Sequence, residues 1–405
     1  MALRFLNKTP FHLALIALLG LLAYSNTFDV PFQWDDKYTF IEGNPIIKDL
    51  GYFLEPSKAE GLELYDTLKT RYVGYLTFAL NYKLHGLDVR GYHIVNIAIH
   101  IINSLLVYFL VVLTFRTPFL SNPLFLNNPP SPPFAKGGLS EGNLIALFSA
   151  LLFVSHPVQT EAVTYIFQRL ASLCAFFYML SLLLYIKSRL TEKKTKYAFY
   201  AMSLFSAVLA AKTKENAFTL PLVIALYEFF FFKGSINRRM LGLVPLLLTM
   251  LIIPLSLTGI DKPAGEIISG IGPITEGYQD ILRWDYLFTQ FRVIPTYIRL
   301  LFLPINQNID YDYPVYNSFF DLEVLLSFFF LLSIFGSALY LFYRSKFKPD
   351  LRLISFGIFW FFITLSVESS IIPIPMVINE YRLYLPSFGA FAAAAGGALI
   401  LLKGL

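Results

Sequence analysis

Long apolar runs broken by short polar stretches dominate this chain. Runs long enough to cross a bilayer as a helix, or nearly so, fall at about 11–27, 92–115, 144–155, 170–187, 197–211, 217–232, 240–258, 321–343, 353–367 and 384–402. The pattern predicts an all-α integral membrane protein with about ten transmembrane helices in a single domain, 1–405. The segment WDYLFTQFRVIPTYIRLLFLP (284–304) breaks the alternation of sides if it is counted as a crossing. It carries Arg292, Arg299 and an internal Pro295, so it is expected to be an interfacial or re-entrant helix on the outer side.

Charge sets the orientation. Lysines and arginines cluster between apolar runs, in KSRLTEKKTK (187–196), KGSINRR (233–239) and RSKFKPDLR (344–352). Threading the runs alternately from an inner start puts all three clusters on the inner side, as the positive-inside rule requires. The outer loops are then 28–91, 156–169, 212–216, 259–320 and 368–383. The inner loop 116–143 contains NNPPSPPFAKGGLSEGN, a Pro/Gly-rich run expected to be disordered. The N-terminal run lacks a small-residue cleavage site and is expected to be a retained first helix.

Composition agrees: 56% of residues are apolar and 15% charged, a balance foreign to a soluble domain of this length. The net charge of +5 lies in the inner clusters rather than on one face, which argues against nucleic acid as a partner and for the lipid bilayer. A single cysteine, Cys174, excludes an intrachain disulfide. No inverted repeat of the transporter kind is apparent.

The polar residues gather on one side. Asp35, Asp36, Arg71, His156, Glu161, Arg169, Lys212, Lys214, Glu215, Glu380 and Arg382 all belong to the outer boundary. Ionisable groups at a membrane boundary are costly and are usually retained for a cavity or a partner. On the second span, His93, Asn96, His100 and Asn103 recur at helical spacing and share one face. Hydrogen-bonded glue between helices is the expectation for the last three, whereas His93 lies close enough to the outer end to be a site candidate. His93 and His100 are separated by roughly 10 Å along the axis, too far to share a zinc ion.

Taken in order, FQWDDKYTFIEGNP, YHIVNIAIHIINSLLVY, HPVQTEAVTYIFQR, AKTKENAFTLPLVIALYEF, LPINQNIDYDYP and NEYRLYLPSFG resemble the membrane domain of the transmembrane and tetratricopeptide-repeat O-mannosyltransferases. These are similar to the protein O-mannosyltransferases and belong to the GT-C glycosyltransferases. The resemblance covers about residues 25–390. Members usually continue with one more crossing and tandem helical repeats, whereas this sequence ends at ALILLKGL, a terminus expected inside. Tyr381 stands where the family is expected to place a His or Phe.

The resemblance implies a GT-C type multi-helix bundle with outer-face juxtamembrane helices. It further implies transfer of a sugar, typically mannose, from a polyprenyl-phosphate donor to an acceptor hydroxyl on a protein or glycan, at the outer face of a bacterial cytoplasmic membrane. By position Asp35 matches the first acid of the family's pair and is implied to be the base of an inverting reaction. Neighbouring residues on an extended chain point apart, so Asp36 is left to orient a partner, to cap the following turn, or to help hold a divalent metal. No cofactor is required by this reading, because enough cations can meet a leaving phosphate. Arg382, Arg169 and Lys214 are the candidates for that role. Glu161 and Glu215 are expected to pair with these cations, and Arg71 resembles a family arginine at the start of the second outer helix. His93, His156, Glu380, Asp310 and Asp312 are further supporting candidates, the last two beside tyrosines suited to stacking on a sugar. Two other classes compete: a lipid-linked saccharide transporter, which would distribute charges through the depth of the bundle, and an inactive membrane scaffold.

Overall fold

The computed structural model describes residues 8–121, 141–258, 281–374 and 376–404, all helix, turn or irregular, with no strand among them. The Pro/Gly-rich part of the inner loop and much of the loop after 258 lie outside the described residues. Each apolar run of the sequence coincides with a helix. These are α1 (Thr9–Ala23), α3 (Val89–Thr114), α4 (Glu141–Ser155), α5 (Arg169–Leu190), α6 (Thr195–Ala211), α7 (Leu220–Phe231), α8 (Ile236–Leu248), α10 (Leu322–Arg344), α11 (Leu351–Leu365) and α12 (Tyr384–Gly404). Two more helices flank them in the loops: α2 (Tyr72–His85) and α9 (Arg283–Phe302).

Length separates these helices. Five described helical segments are long and apolar enough to cross a bilayer, and the bent pair Glu141–Ser155 with Pro157–Thr164 makes a sixth if taken as one span. The bend of 54° follows Pro157, whose ring cannot continue a hydrogen-bonded helix. Arg292, Pro295 and Arg299 all fall on α9.

Packing follows small residues and buried polar groups. Helix α5 packs along α6, and α3 packs on both α4 and α5. Helices α11 and α12 cross at Gly357 and Gly389, where a Cβ on either glycine would come within 2.3–2.4 Å of the other's carbonyl oxygen. Only glycine permits that approach. The polar face of α3 forms interhelical bonds: the His100 ring reaches the Tyr384 hydroxyl at 2.8 Å and the Val154 carbonyl at 3.1 Å, and Asn103 donates to Ser172 and Tyr384.

The first outer segment departs most from a plain loop. It folds into short helical turns with an apolar core of its own, including Phe32, Ile41, Ile46, Phe53 and Leu68, which packs on Phe78 and Tyr92 of the following helices and on Ile166 and Phe167. A membrane-scale reading of hydropathy misses this because the apolar residues are spaced through a polar sequence rather than gathered in a run.

Candidate active site

Asp35 and Asp36 are adjacent and their surroundings are opposite. Asp35 is exposed and Asp36 is buried. The reversal begins at Trp34, whose φ of 45° lies in the left-handed region, an unfavourable conformation for a bulky residue. Asp36 then turns into the packed segment, where its two carboxylate oxygens accept N–H bonds from Ile166 (3.2 Å) and Phe167 (2.8 Å). Burial pushes the Asp36 carboxyl up to about 7, against the lowering effect of these backbone donors. Its own turn, Asp36–Phe40, receives no side-chain cap, so Asp36 caps the turn 166–168 across the loop interface instead of its own.

Beside this pair lies a cleft of about 260 Å³ lined by Gln33, Glu161, Tyr165, Gln307, Asn308 and Glu380, among others. Tyr165, which lines the cleft, lies against the backbone of Asp35, so the acid stands next to the opening. Glu161 accepts the Tyr381 N–H at 2.8 Å. Glu380 accepts the Asn308 N–H at 2.9 Å as well as short bonds from Gln307 and Tyr311. Four outer loops therefore converge on one carboxylate-lined opening.

The turn Glu380–Leu383 joins that cleft to two ion pairs, one enclosed and one half-buried. The Tyr381 ring lies 4.3 Å from Lys214 Nζ, and Lys214 pairs with Glu368 at 3.1 Å, both nearly enclosed. Asn216 donates to the other Glu368 oxygen at 2.7 Å. Arg71 grips Glu215 through Nε (2.9 Å) and Nη2 (3.0 Å), the two-point geometry that guanidinium and carboxylate favour. Burial raises the Glu215 carboxyl, but Arg71 more than offsets this and holds it below its usual range. Arg382 is buried and donates to the carbonyls of Val377 (3.2 Å) and Met376 (2.6 Å). Met376 itself has a φ of 59°, so the loop is bent to present those carbonyls.

Other expected site residues lie elsewhere. Arg169 is fully enclosed, with Nε on Asn96 (2.6 Å), Nη1 on Asn81 (2.6 Å) and Nη2 on the Tyr92 carbonyl (3.1 Å), against the Phe78 ring. Every nitrogen of that guanidinium already donates, so the side chain locks α2, α3 and α5 together. His93 is buried and bonds the Val30 carbonyl at 2.8 Å, fixing the entry of the outer segment. His156 accepts the Val158 N–H at 3.2 Å and packs at a tilt against Phe391, closing the bend after α4. Asp310 and Asp312 are exposed. Lys212 donates to Ser256. Both Asp36 oxygens face backbone N–H groups, whereas Asp35 is exposed. Among the described residues no three His, Cys, Asp or Glu side chains gather as metal ligands.

Glu368 was not anticipated from sequence. It is a single acid in SVESS at the edge of an apolar run, and only the pairing with Lys214 reveals its place. Gln307, Asn216 and the tyrosines 286 and 297 around Arg382 were missed similarly, being neutral residues with no spacing to mark them.

Sequence comparison bears directly on this arrangement. The chain is 25% identical over 390 residues to the protein O-mannosyl-transferase F38B6.6 of Caenorhabditis elegans, a match covering 93% of this chain and 50% of that protein. The chain is similar to the TMTC protein O-mannosyl-transferases. It is 32% identical over 162 residues to Drosophila melanogaster Tmtc3 and 30% identical over 159 residues to human TMTC3, covering 38% and 39% of this chain. Those two matches take in 17% and 14% of the relatives' lengths, so the chain spans half or less of these curated proteins it matches. No family model and no solved structure matches. With its apolar helices, the chain is a multi-pass membrane protein.

Proposed function

We propose that the chain is a glycosyltransferase that moves a sugar, mannose by analogy with its named relatives, from a polyprenyl-phosphate donor to an acceptor hydroxyl. The observation that carries this reading is the acid pair. One carboxylate is exposed beside a carboxylate-lined cleft, and its neighbour is spent on holding that loop against the turn 166–168. The split gives Asp35 the position of a general base. Its carboxylate takes the proton of the acceptor hydroxyl as that oxygen attacks the anomeric carbon from the side opposite the phosphate, and the C–O bond to phosphate breaks with inversion. Asp36 is a positioning residue. The proton ends on Asp35 and the electron pair on the departing lipid monophosphate.

Lys214 and Arg382 are the cations proposed to meet the phosphate charge. Contact of phosphate with Arg382 requires its bonds to Met376 and Val377 to open, so loop 368–383 is the element that would move. The face carrying the acid pair is taken as the outer one, in the arrangement of a bacterial cytoplasmic membrane.

The test is transfer of radiolabelled mannose from polyprenyl-phosphate mannose in membranes holding the wild-type chain or Asp35→Asn, with an EDTA arm for metal dependence. Loss of label by a factor on the order of a hundred to ten thousand is expected for the variant, with the folded yield unchanged. Equal transfer by both chains would remove Asp35 as the base, and no transfer by wild type would remove the donor assignment.

A further inference from the structure

We infer that a second site, at the end of the bundle remote from the acid pair, holds the phosphate headgroup of an anionic membrane lipid. Helix α5 begins at Arg169, beneath the acid pair, and ends past Arg189, roughly 33 Å away for its 22 residues. There a cavity of about 330 Å³ is lined by Tyr185, Arg189, Tyr200, Glu228, Arg238 and Arg239, with Gly242 in its wall. Three guanidinium groups against one carboxylate leave a surplus of two positive charges.

The bonding pattern leaves donors facing outward. Glu228 is fully enclosed and takes two bonds from Arg189 (both 2.9 Å), one from Arg239 Nε (3.0 Å) and one from the Tyr185 hydroxyl (3.0 Å). Those bonds fix both arginines while using Nε and Nη2 of Arg189 and Nε of Arg239. Nη2 of Arg239 turns to the Glu228 carbonyl. Nη1 of each remains outside the network; the Arg189 side chain is 36% exposed and Arg239 Nη1 is not among the buried unpartnered atoms, so both open to the cavity or solvent. Arg238 is exposed and has no ion-pair partner among the described residues. A rigid carboxylate thus orients two guanidinium edges while a third arginine stands free, a geometry suited to several oxygens of one phosphate.

The surroundings favour a lipid over a free anion. Helix α8, which carries Arg238 and Arg239 in its first turn, exposes Met240, Leu241, Val244 and Leu248, and Met202 and Phe205 of the neighbouring α6 are exposed as well. The Tyr200 hydroxyl bonds the Gly242 carbonyl at 2.7 Å and ties the two helices together. Acyl chains on these apolar faces would run directly from a headgroup in the cavity. Basic pockets between helices at one leaflet are the usual form of such sites.

Two variants probe the site without touching the Glu228 network. Arg238→Gln removes a charge from an exposed side chain. Gly242→Leu fills the cavity, and a Cβ there meets no atom within 4 Å, so the helix accommodates it. The purified chain in phosphatidylcholine is titrated with phosphatidylglycerol and bound lipid is counted by native mass spectrometry, with inorganic phosphate in a parallel arm. Preferential retention of one phosphatidylglycerol is expected, weakened about fivefold by Arg238→Gln and lost to the background level in Gly242→Leu, both with wild-type melting temperature. Equal retention of the two lipids, or unchanged retention in both variants, overturns the site. Displacement of phosphatidylglycerol by inorganic phosphate at equal concentration overturns the lipid as its occupant.

Discussion

Asp36 and Glu228 are both buried carboxylates, at opposite ends of the same bundle, and the protein satisfies them by different means. Asp36 is held by two backbone N–H groups, Glu228 by two guanidinium groups and a phenol. Neutral donors leave the charge of Asp36 uncompensated, so burial dominates and its proton is held up to about 7. Around Glu228 the cations outnumber the acid. A loop can be anchored without fixing the sign of its surroundings, whereas an ion cluster sets the local field. The first arrangement holds Asp36 on backbone donors without recruiting cations to it. The second concentrates them where an anion can dock.

The largest effect that separates the two regions is expected at Glu228. Glu228→Gln leaves Arg189 and Arg239 facing a neutral amide, and Arg239 is only 13% exposed. Breaking a buried pair by removing one partner typically costs about 3–5 kcal/mol, read as a lower melting temperature in detergent and lower folded yield. A melting temperature within a degree of wild type would mean that the arginines reach water easily, and the contrast with Asp36 would collapse.

Asp36→Ala comes next. It strands the N–H groups of Ile166 and Phe167, and such orphaned donors cost about 1–3 kcal/mol. The pH dependence sharpens the distinction. A carboxyl whose folded value lies near 7, above its ordinary 3.8, binds more protons in the folded chain than in the unfolded one over that interval. Its contribution to stability is therefore full below 3.8 and is lost as pH rises through about 7. The melting temperature of wild type relative to Asp36→Asn should fall between pH 4 and pH 7.5, and a difference that stays flat would show that the backbone donors outweigh burial.

These contrasts also mark what was legible in the sequence. The runs that became α3, α5 and α12 were plain because an apolar stretch of that length has few other fates, and the polar face of α3 was plain because helical periodicity exposed it. The roles of the charged residues were not. Arg169 and Arg382 look alike on paper, each in an outer turn before an apolar run, yet Arg169 is closed by asparagines drawn from α2 and α3 while Arg382 clamps a loop six residues upstream. Which donor meets which acceptor depends on contacts more than seventy residues apart for Arg169, and no spacing rule reports those. The core of the first outer segment was hidden for the same reason, since Ile166 and Phe167 complete it from another loop.

The smallest expected effect belongs to the pair Arg90–Asp29. Its 2.6 Å separation is shorter than any of the side-chain bonds that Glu228 accepts, but the partners are 65% and 74% exposed. Water competes for both charges, salt screens them, and the long side chain loses freedom when held, so exposed pairs add little to stability. Arg90→Ala should leave the melting temperature within measurement error at 150 mM salt while Glu228→Gln does not. If the two variants instead lost stability equally, separation rather than burial would govern these ion pairs, and the contrast between the ends of the bundle would have to be rebuilt on distance alone.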